Sequence, residues 1–247
     1  MTFKTSKRIN IMNTKREQSI HDIVNSFEEM SDLVLAQLKL LENFMADPVK
    51  SDFDKVMIDL RLNEDKIDKF EVIVSDQIIN SIVLYQPVAS DIRKIMAIYR
   101  MTINLERIGD LIMNIIYSLE SIKESVEYKA MNEVIMNMLL TGISMVEKSL
   151  LSFINADTEY AVWTIKNDEI VDDMNRKLLL NSIKNVKISE KTREMLLSYV
   201  DLKNIITNLE RVADHATNIA EASIYSLQGT DIRHTVFDFG KPKNETT

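Results

Sequence analysis

No cysteine occurs in the 247 residues. That excludes a disulfide framework, a thiolate nucleophile and a thiolate metal site. Proline is nearly absent too: only Pro48, Pro87 and Pro242 occur, with none between the last two. Proline breaks helices by removing a backbone donor and clashing with the preceding turn, so this gap favours long helices. Glycine is limited to four residues, and aromatics make up 6% of the chain against 45% hydrophobic residues in all. The cores must therefore be aliphatic. No apolar run of 18 residues stands out, so no membrane-spanning helix is expected. The N-terminus lacks the apolar stretch of a signal peptide, which points to the cytoplasm. No Gly-rich phosphate loop, nucleophile elbow or His-Glu-x-x-His is found.

Charge is unevenly spread. The formal net charge is −8. Residues 1–16 carry Lys4, Lys7, Arg8, Lys15 and Arg16 and no acid, which leaves 13 net negative charges on the rest. These residues are expected to form a basic flexible arm. An acidic body argues against nucleic acid as a partner. It suits a cation or a basic protein surface.

The chain contains a repeat. Asn104-Leu-Glu-Arg-Ile-Gly-Asp-Leu-Ile-Met-Asn-Ile115 recurs as Asn208-Leu-Glu-Arg-Val-Ala-Asp-His-Ala-Thr-Asn-Ile219, 104 residues later. The same offset lays Asn63–Asp68 on Asn167–Asp172. Two blocks in one register mean a duplicated unit. The predicted fold is all-α, two tandem pseudo-symmetric three-helix bundles. The first covers 17–125 and the second 126–228, followed by a tail at 229–247. Apolar spacing predicts helices from the Thr14 capping box to Ala46, from a Ser51 cap to Pro87 and from a Ser90 cap to Ser121. The second set runs from Met131 to Ile154, from an Asp157 cap to Lys184 and from a Ser189 cap to Leu227, with Gly229 as the stop.

The repeat places acids at matched helical positions. Glu64 and Asp68, Glu106 and Asp110, Asp168 and Asp172, and Glu210 and Asp214 are each four residues apart, so each pair shares one helix face. Like charges at this spacing destabilise a helix by ~0.2–0.5 kcal/mol per pair. A cation would relieve four such pairs, and oxygen ligands suit Mg, Ca, Mn, Fe or Zn. The plainer reading is a solvated acidic face, since Glu28/Asp32 and Glu169/Asp173 show the same spacing off the register. Arg107 and Arg211 read best as intramolecular ion-pair partners. Gly109 and Ala213 read as points of close helix packing. His215 has no Glu three residues before it, so the di-iron Glu-x-x-His pattern is missing.

At these motifs the chain resembles the PhoU family of bacterial phosphate-uptake regulators. Leu105–Asp110 with Asn114-Ile115, and Leu209–Asp214 with Asn218–Glu221, carry the likeness. Gln86–Arg93 resembles the family's link between second and third helices, and Gly229–His234 its tail. The resemblance implies metal clusters on Glu64, Asp68, Glu106, Asp110, Asp168, Asp172, Glu210 and Asp214. Leu111 stands where the second copy has His215, so the two sites need not bind alike. It further implies a homodimeric, non-enzymatic negative regulator of phosphate uptake and phosphate-starvation signalling. Such a protein is an adaptor between the phosphate ABC transporter and a sensor histidine kinase, held at the membrane through these partners. The alternative is a carboxylate-rich metal-binding protein or metal-dependent enzyme, for which His215 is the one candidate general base.

Overall fold

The computed structural model describes residues 2–48, 50–184 and 192–233. Six helices follow in order: α1 (Thr2–Ala46), α2 (Phe53–Tyr85), α3 (Ala89–Ile122), α4 (Val126–Ile154), α5 (Thr158–Lys184) and α6 (Thr192–Gln228). No strand occurs among the described residues. Helices α1–α3 pack on one another, as do α4–α6. The expected pair of three-helix bundles is therefore present.

Several helix starts differ from the sequence reading. The backbone of α1 is already helical at Thr2, so Thr14 lies inside a helix and residues 2–13 continue it instead of forming an arm. Neither proline nor glycine occurs before Pro48 to interrupt it. The cap of α2 is Asp52, whose carboxylate accepts from the Lys55 amide, while the Ser51 hydroxyl donates to the Asp47 carbonyl at 2.6 Å. Ser90 lies within the first turn of α3, which begins after Val88 without a side-chain cap. Ser125 caps α4 by accepting from the Tyr128 amide at 3.1 Å, earlier than Met131. The Asp157 carboxylate does cap α5, accepting from Glu159 at 2.9 Å. Ser189 lies outside the described residues. Gly229, at φ +72°, ends α6 in the left-handed region that glycine enters without strain, and its amide donates to the Tyr225 carbonyl.

The bundles join through their third helices. Asn218 Nδ2 reaches Asn104 Oδ1 at 3.2 Å. One turn earlier on α3, the Arg100 guanidinium lies over the Tyr225 ring, 5.0 Å from its centre. Further back, the Arg93 side chain lies against Gly229. The two helices are thus antiparallel, and counting inward brings Gly109 level with Ala213. Equivalent residues of the repeat meet at the middle of the contact, as an internal two-fold requires. Helix α3 is consequently covered on two sides. Ile95, Ile98, Met101, Leu105, Ile108, Ile112, Ile115 and Leu119 are all fully buried. They belong to one apolar cluster that also takes in Phe27 and Leu38 of α1, Met138 and Met145 of α4, and Leu209, Val212 and Ile219 of α6. Across α4 and α6, Ser152 and Ser223 bond hydroxyl to hydroxyl at 2.8 Å inside the core.

The membrane expectation needs one correction. By length and composition α4 is apolar enough to cross a bilayer. Its Ile135, Met138, Leu139, Met145, Val146 and Leu150 are buried against its neighbours, and this core position accounts for the apolar character.

A shared core should melt as a unit. Ile67 on α2 is fully buried in bundle one, while Trp163, the only tryptophan, lies on α5 in bundle two. Ile67→Ala should remove about 2–5 kcal/mol. At about 2–4 °C per kcal/mol for a chain of this size, the melting temperature should fall roughly 5–15 °C. Trp163 fluorescence and far-ultraviolet circular dichroism should report the same fall. An unmoved Trp163 transition would mean that the bundles melt separately.

Candidate functional site

The acidic pairs of α2 and α3 come together on bundle one. Burial raises the pKa of Glu64 to about 7, opposed by a hydrogen bond from Gln37 and reinforced by Asp110, Asp68 and Glu106. Glu106 is raised by its own burial and then by Asp110, with Arg107 opposing and Glu71 and Asp68 adding. Glu71 extends the acidic face of α2 by one further turn and was not among the expected residues. Its match at the repeat offset is Asn175, so only half of the repeat signals it.

Bundle two assembles the matching four. Burial raises Asp214 to about 6, with Asp168, Glu210 and Asp172 adding and Arg211 opposing. Asp168 is raised by burial and by Asp172, against a pull from the Thr217 hydroxyl. Glu210 is raised by burial and Asp172, with Arg211 opposing and Asp168 adding. Each predicted carboxylate therefore lies within electrostatic reach of others in its own bundle.

The two groups are held differently. Gln37 is fully buried on α1, and its Nε2 donates to Glu64 Oε2 at 2.8 Å and to the Leu60 carbonyl at 3.2 Å. Gly109 faces this pair. A Cβ there would stand 2.8 Å from Glu64 Oε2 and 3.3 Å from Gln37 Oε1. The missing methyl makes room for a carboxylate rather than for the neighbouring motif helix. In bundle two the match for Gly109 is Ala213, and the match for Glu64 is the shorter Asp168. One carbon is gained on the third helix and one is removed from the second. The first helix of bundle two starts its match at 135 against 27, which lays the buried Met145 on Gln37, and there the Thr164 hydroxyl donates to the Met145 carbonyl at 3.3 Å.

Several carboxylate oxygens are buried without a hydrogen-bond partner: Glu64 Oε1, Glu106 Oε2 and Asp168 Oδ1. Each such group costs about 1–3 kcal/mol. Arg107 Nε stands 3.3 Å from Glu106 Oε2 without hydrogen-bond alignment, and its Nη1 donates to Asp110 Oδ2 at 3.2 Å. The intramolecular role expected for Arg107 is thus present. Orphaned oxygens among repelling carboxylates fit the chemistry of a hard cation. Yet among the described residues no group of three or more His, Cys, Asp or Glu side chains is arranged to hold one. The four acids of each bundle lie near one another but do not converge on a point.

His215 ties the bundles together. Asn104 Nδ2 donates to the Arg100 carbonyl at 2.7 Å, which leaves Asn104 Oδ1 to accept from His215 Nδ1 at 2.8 Å. Burial, Arg107 and Arg211 all lower the imidazole pKa, which favours the neutral ring, and the oxygen acceptor on Asn104 places a proton on Nδ1. Its Nδ1 is therefore engaged in a structural bond between α6 and α3. Leu111, the matching residue of α3, is buried apolar surface.

The PhoU domain pattern matches residues 27–119 and again 135–223. A phosphate-specific transport system accessory protein PhoU homolog from Aquifex aeolicus is 32% identical, over 86% of this chain and 96% of its own. The PhoU homolog 1 of Thermotoga maritima is 26% identical, over 87% of this chain and 82% of its own. Among solved structures, PhoU from Pseudomonas aeruginosa superposes with a TM-score of 0.71 at 24% identity, covering 87% of this chain and 99% of that one. The phosphate transport system regulatory protein PhoU from Streptococcus pneumoniae gives 0.67 at 21% identity, covering 87% and 98%. These two likenesses speak to the fold.

The cradle around Glu64 makes two testable statements. Gly109→Ala should destabilise by about 1–3 kcal/mol through overpacking. Adding Glu64→Asp, which reproduces the pairing of the second copy, should recover at least half of that in chemical denaturation. Independent, additive losses would remove the volume argument. The raised carboxylates also set a pH dependence. A carboxyl whose pKa is higher in the folded state binds its proton more tightly there, so it favours folding at low pH. The contribution of Glu64 should be complete below its ordinary value of 4.5 and lost as pH rises through about 7. In chelator-treated protein, melting temperature should therefore rise as pH falls from 8 towards 5, and Glu64→Gln should flatten the upper part of that rise.

Proposed function

The chain belongs to the PhoU family, and on that premise we propose that it is an accessory protein of the phosphate transport system. In this reading it is a negative regulator of phosphate uptake and phosphate-starvation signalling. It works as an adaptor between the phosphate ABC transporter and a sensor histidine kinase, in the cytoplasm and as a homodimer. The observation that carries the proposal is the doubled domain match together with relatives named for the phosphate-specific transport system. An adaptor needs charge presented at fixed places on a stiff body. Two acidic clusters held by one continuous core meet that need. Charge complementarity speeds encounter and fades with salt.

A non-catalytic role is supported by the relatives' names and by the engagement of His215 in a bond between bundles. The metal-dependent enzyme gains no such support. A cation remains part of the proposal as a bridge. Glu64, Asp68, Glu106 and Asp110 would hold it on bundle one, and Asp168, Asp172, Glu210 and Asp214 on bundle two. It would neutralise the repulsion and join the acidic face to a partner's.

Deleting the gene should switch on phosphate-scavenging genes in phosphate-replete medium, read by an alkaline phosphatase reporter. Repression that persists in the deletion strain would end the regulatory reading. Adding Fe, Mn or Zn salts to the purified protein should raise its melting temperature, because a ligand of the folded state alone stabilises it. Asp110→Asn with Asp214→Asn should abolish that gain, and full metal content in the double variant would reject the carboxylate bridge.

A further inference from the structure

Where α1 passes α4, the bundles leave an open groove of about 420 Å³. Its floor is aliphatic, with Leu35 from α1 and Leu151 and Ile154 from the end of α4. Leu151 is 39% exposed and Ile154 47%. Its rim is acidic, with Glu28 and Asp32 on α1 and Glu147 on α4. Among the described residues no lysine or arginine lines the groove, and these three carboxylates enter no ion pair or hydrogen bond. Elsewhere, acids commonly find a base three residues away in the chain, as in Lys39–Glu42, Lys50–Asp47, Lys123–Glu120 and Arg176–Asp173. The groove is apolar within and uncompensated in charge at its edge.

That pairing selects an occupant. An anionic lipid surface would be repelled by the rim. A wholly aliphatic segment would strip water from three carboxylates and return nothing to them. A helix with aliphatic side chains along one stripe and bases on its flanks satisfies both requirements. Glu28 and Asp32 are one turn apart, so bases at i and i+4 on such a helix meet them in step, while Glu147 faces from the other wall. We propose that this groove docks a cationic amphipathic helix of a partner protein. The proposal deepens the adaptor reading and rests on it for its use in the cell. Its test is direct binding by the purified chain, which stands or falls apart from any repression phenotype.

The probe is a labelled, amidated peptide of leucine and lysine, with leucines at i, i+3, i+4 and i+7 and lysines on both flanks. Two controls replace every lysine by glutamate or scramble the order. Fluorescence polarisation should show saturable one-to-one binding of the lysine peptide alone. Raising salt from 0.05 to 0.5 M should weaken it several-fold, as the Debye length shrinks from about 14 to about 4 Å. Glu28→Lys, Asp32→Lys and Glu147→Lys together should weaken binding at least about tenfold, equivalent to about 1.4 kcal/mol. Leu151→Ser with Ile154→Ser should weaken it without changing charge, and its melting curve checks that the protein stays folded. The same charge change at the exposed Asp76, Glu124 and Glu133 should leave affinity within about twofold. If this control triple weakens binding as much as the groove triple, the attraction is to the acidic body in general and the proposal fails. Equal binding of the scrambled peptide, or no effect of the serine pair, overturns it as well.

Discussion

Helices α3 and α6 must be covered on more than one side, and that requirement organises the molecule. A three-helix bundle buries one face of each member. The third helix of each repeat carries apolar residues over a wider arc than its own bundle can cover. Packing the two third helices antiparallel hides the surplus and joins two cores into one. Nearly equivalent residues then meet about a pseudo-two-fold, so one stretch of sequence serves both sides of the contact. Of the polar residues at this seam, His215 and Asn218 both bond to Asn104 Oδ1. Their directional bonds fix the register, which aliphatic packing alone leaves loose.

The same arrangement places the acids. The motif residues that pack the seam are interleaved with Glu106 and Asp110 on α3 and with Glu210 and Asp214 on α6. Turning one face of each helix to the shared core turns the acidic face towards α2 or α5. There Glu64 and Asp68, or Asp168 and Asp172, wait at the same height. Symmetry sets the position of the carboxylates but not the groups that hold them. Gln37 and the space at Gly109 hold Glu64 against the backbone, whereas the second copy pairs the shorter Asp168 with Ala213 in sequence. The most perturbed carboxylate is accordingly on the second helix in bundle one and on the third helix in bundle two.

Much of this was legible in the chain, for a physical reason. Helical periodicity and a constant repeat offset are long-range regularities that survive local irregularity, so architecture and the grouping of eight acids could be read directly. Caps were less legible. Ser51 and Asp52 are both good caps, and only the backbone conformation chooses between them. Gln37 could not be found, because its partner lies 27 residues away on another helix and glutamine on a helix carries no distinguishing mark. Gly109 reads as a point of close packing, and the group packed there is the Glu64 carboxylate of α2. The clue was available in the repeat itself: Glu64 with Gly109 against Asp168 with Ala213 is a matched exchange of one carbon. His215 was read as a possible base because a lone histidine beside acids invites it. The Asn104 carbonyl oxygen that fixes its tautomer is over a hundred residues away.

The acidic seams run against stability, and that bears on what they are for. Buried carboxylate oxygens without partners, among like charges, are features that a single substitution could remove with a gain in stability. A glutamine at position 64 would keep the bond geometry with Gln37 and relieve the repulsion. An asparagine at 214 would do the same for bundle two. Instead the chain carries the penalty twice, at matched positions, and offsets it with a large shared core. Strain of this kind is expected where a surface must remain ready for something positive that arrives from outside, a cation or a base on another protein. The i, i+4 pairs hold their charges at fixed separations on rigid helices, so little ordering remains to be done when such a partner binds. Rigidity from the fused core and unsatisfied charge at its edge are thus two halves of one arrangement. The core keeps the acids where they repel, and Arg107 and Arg211 relieve only part of that repulsion.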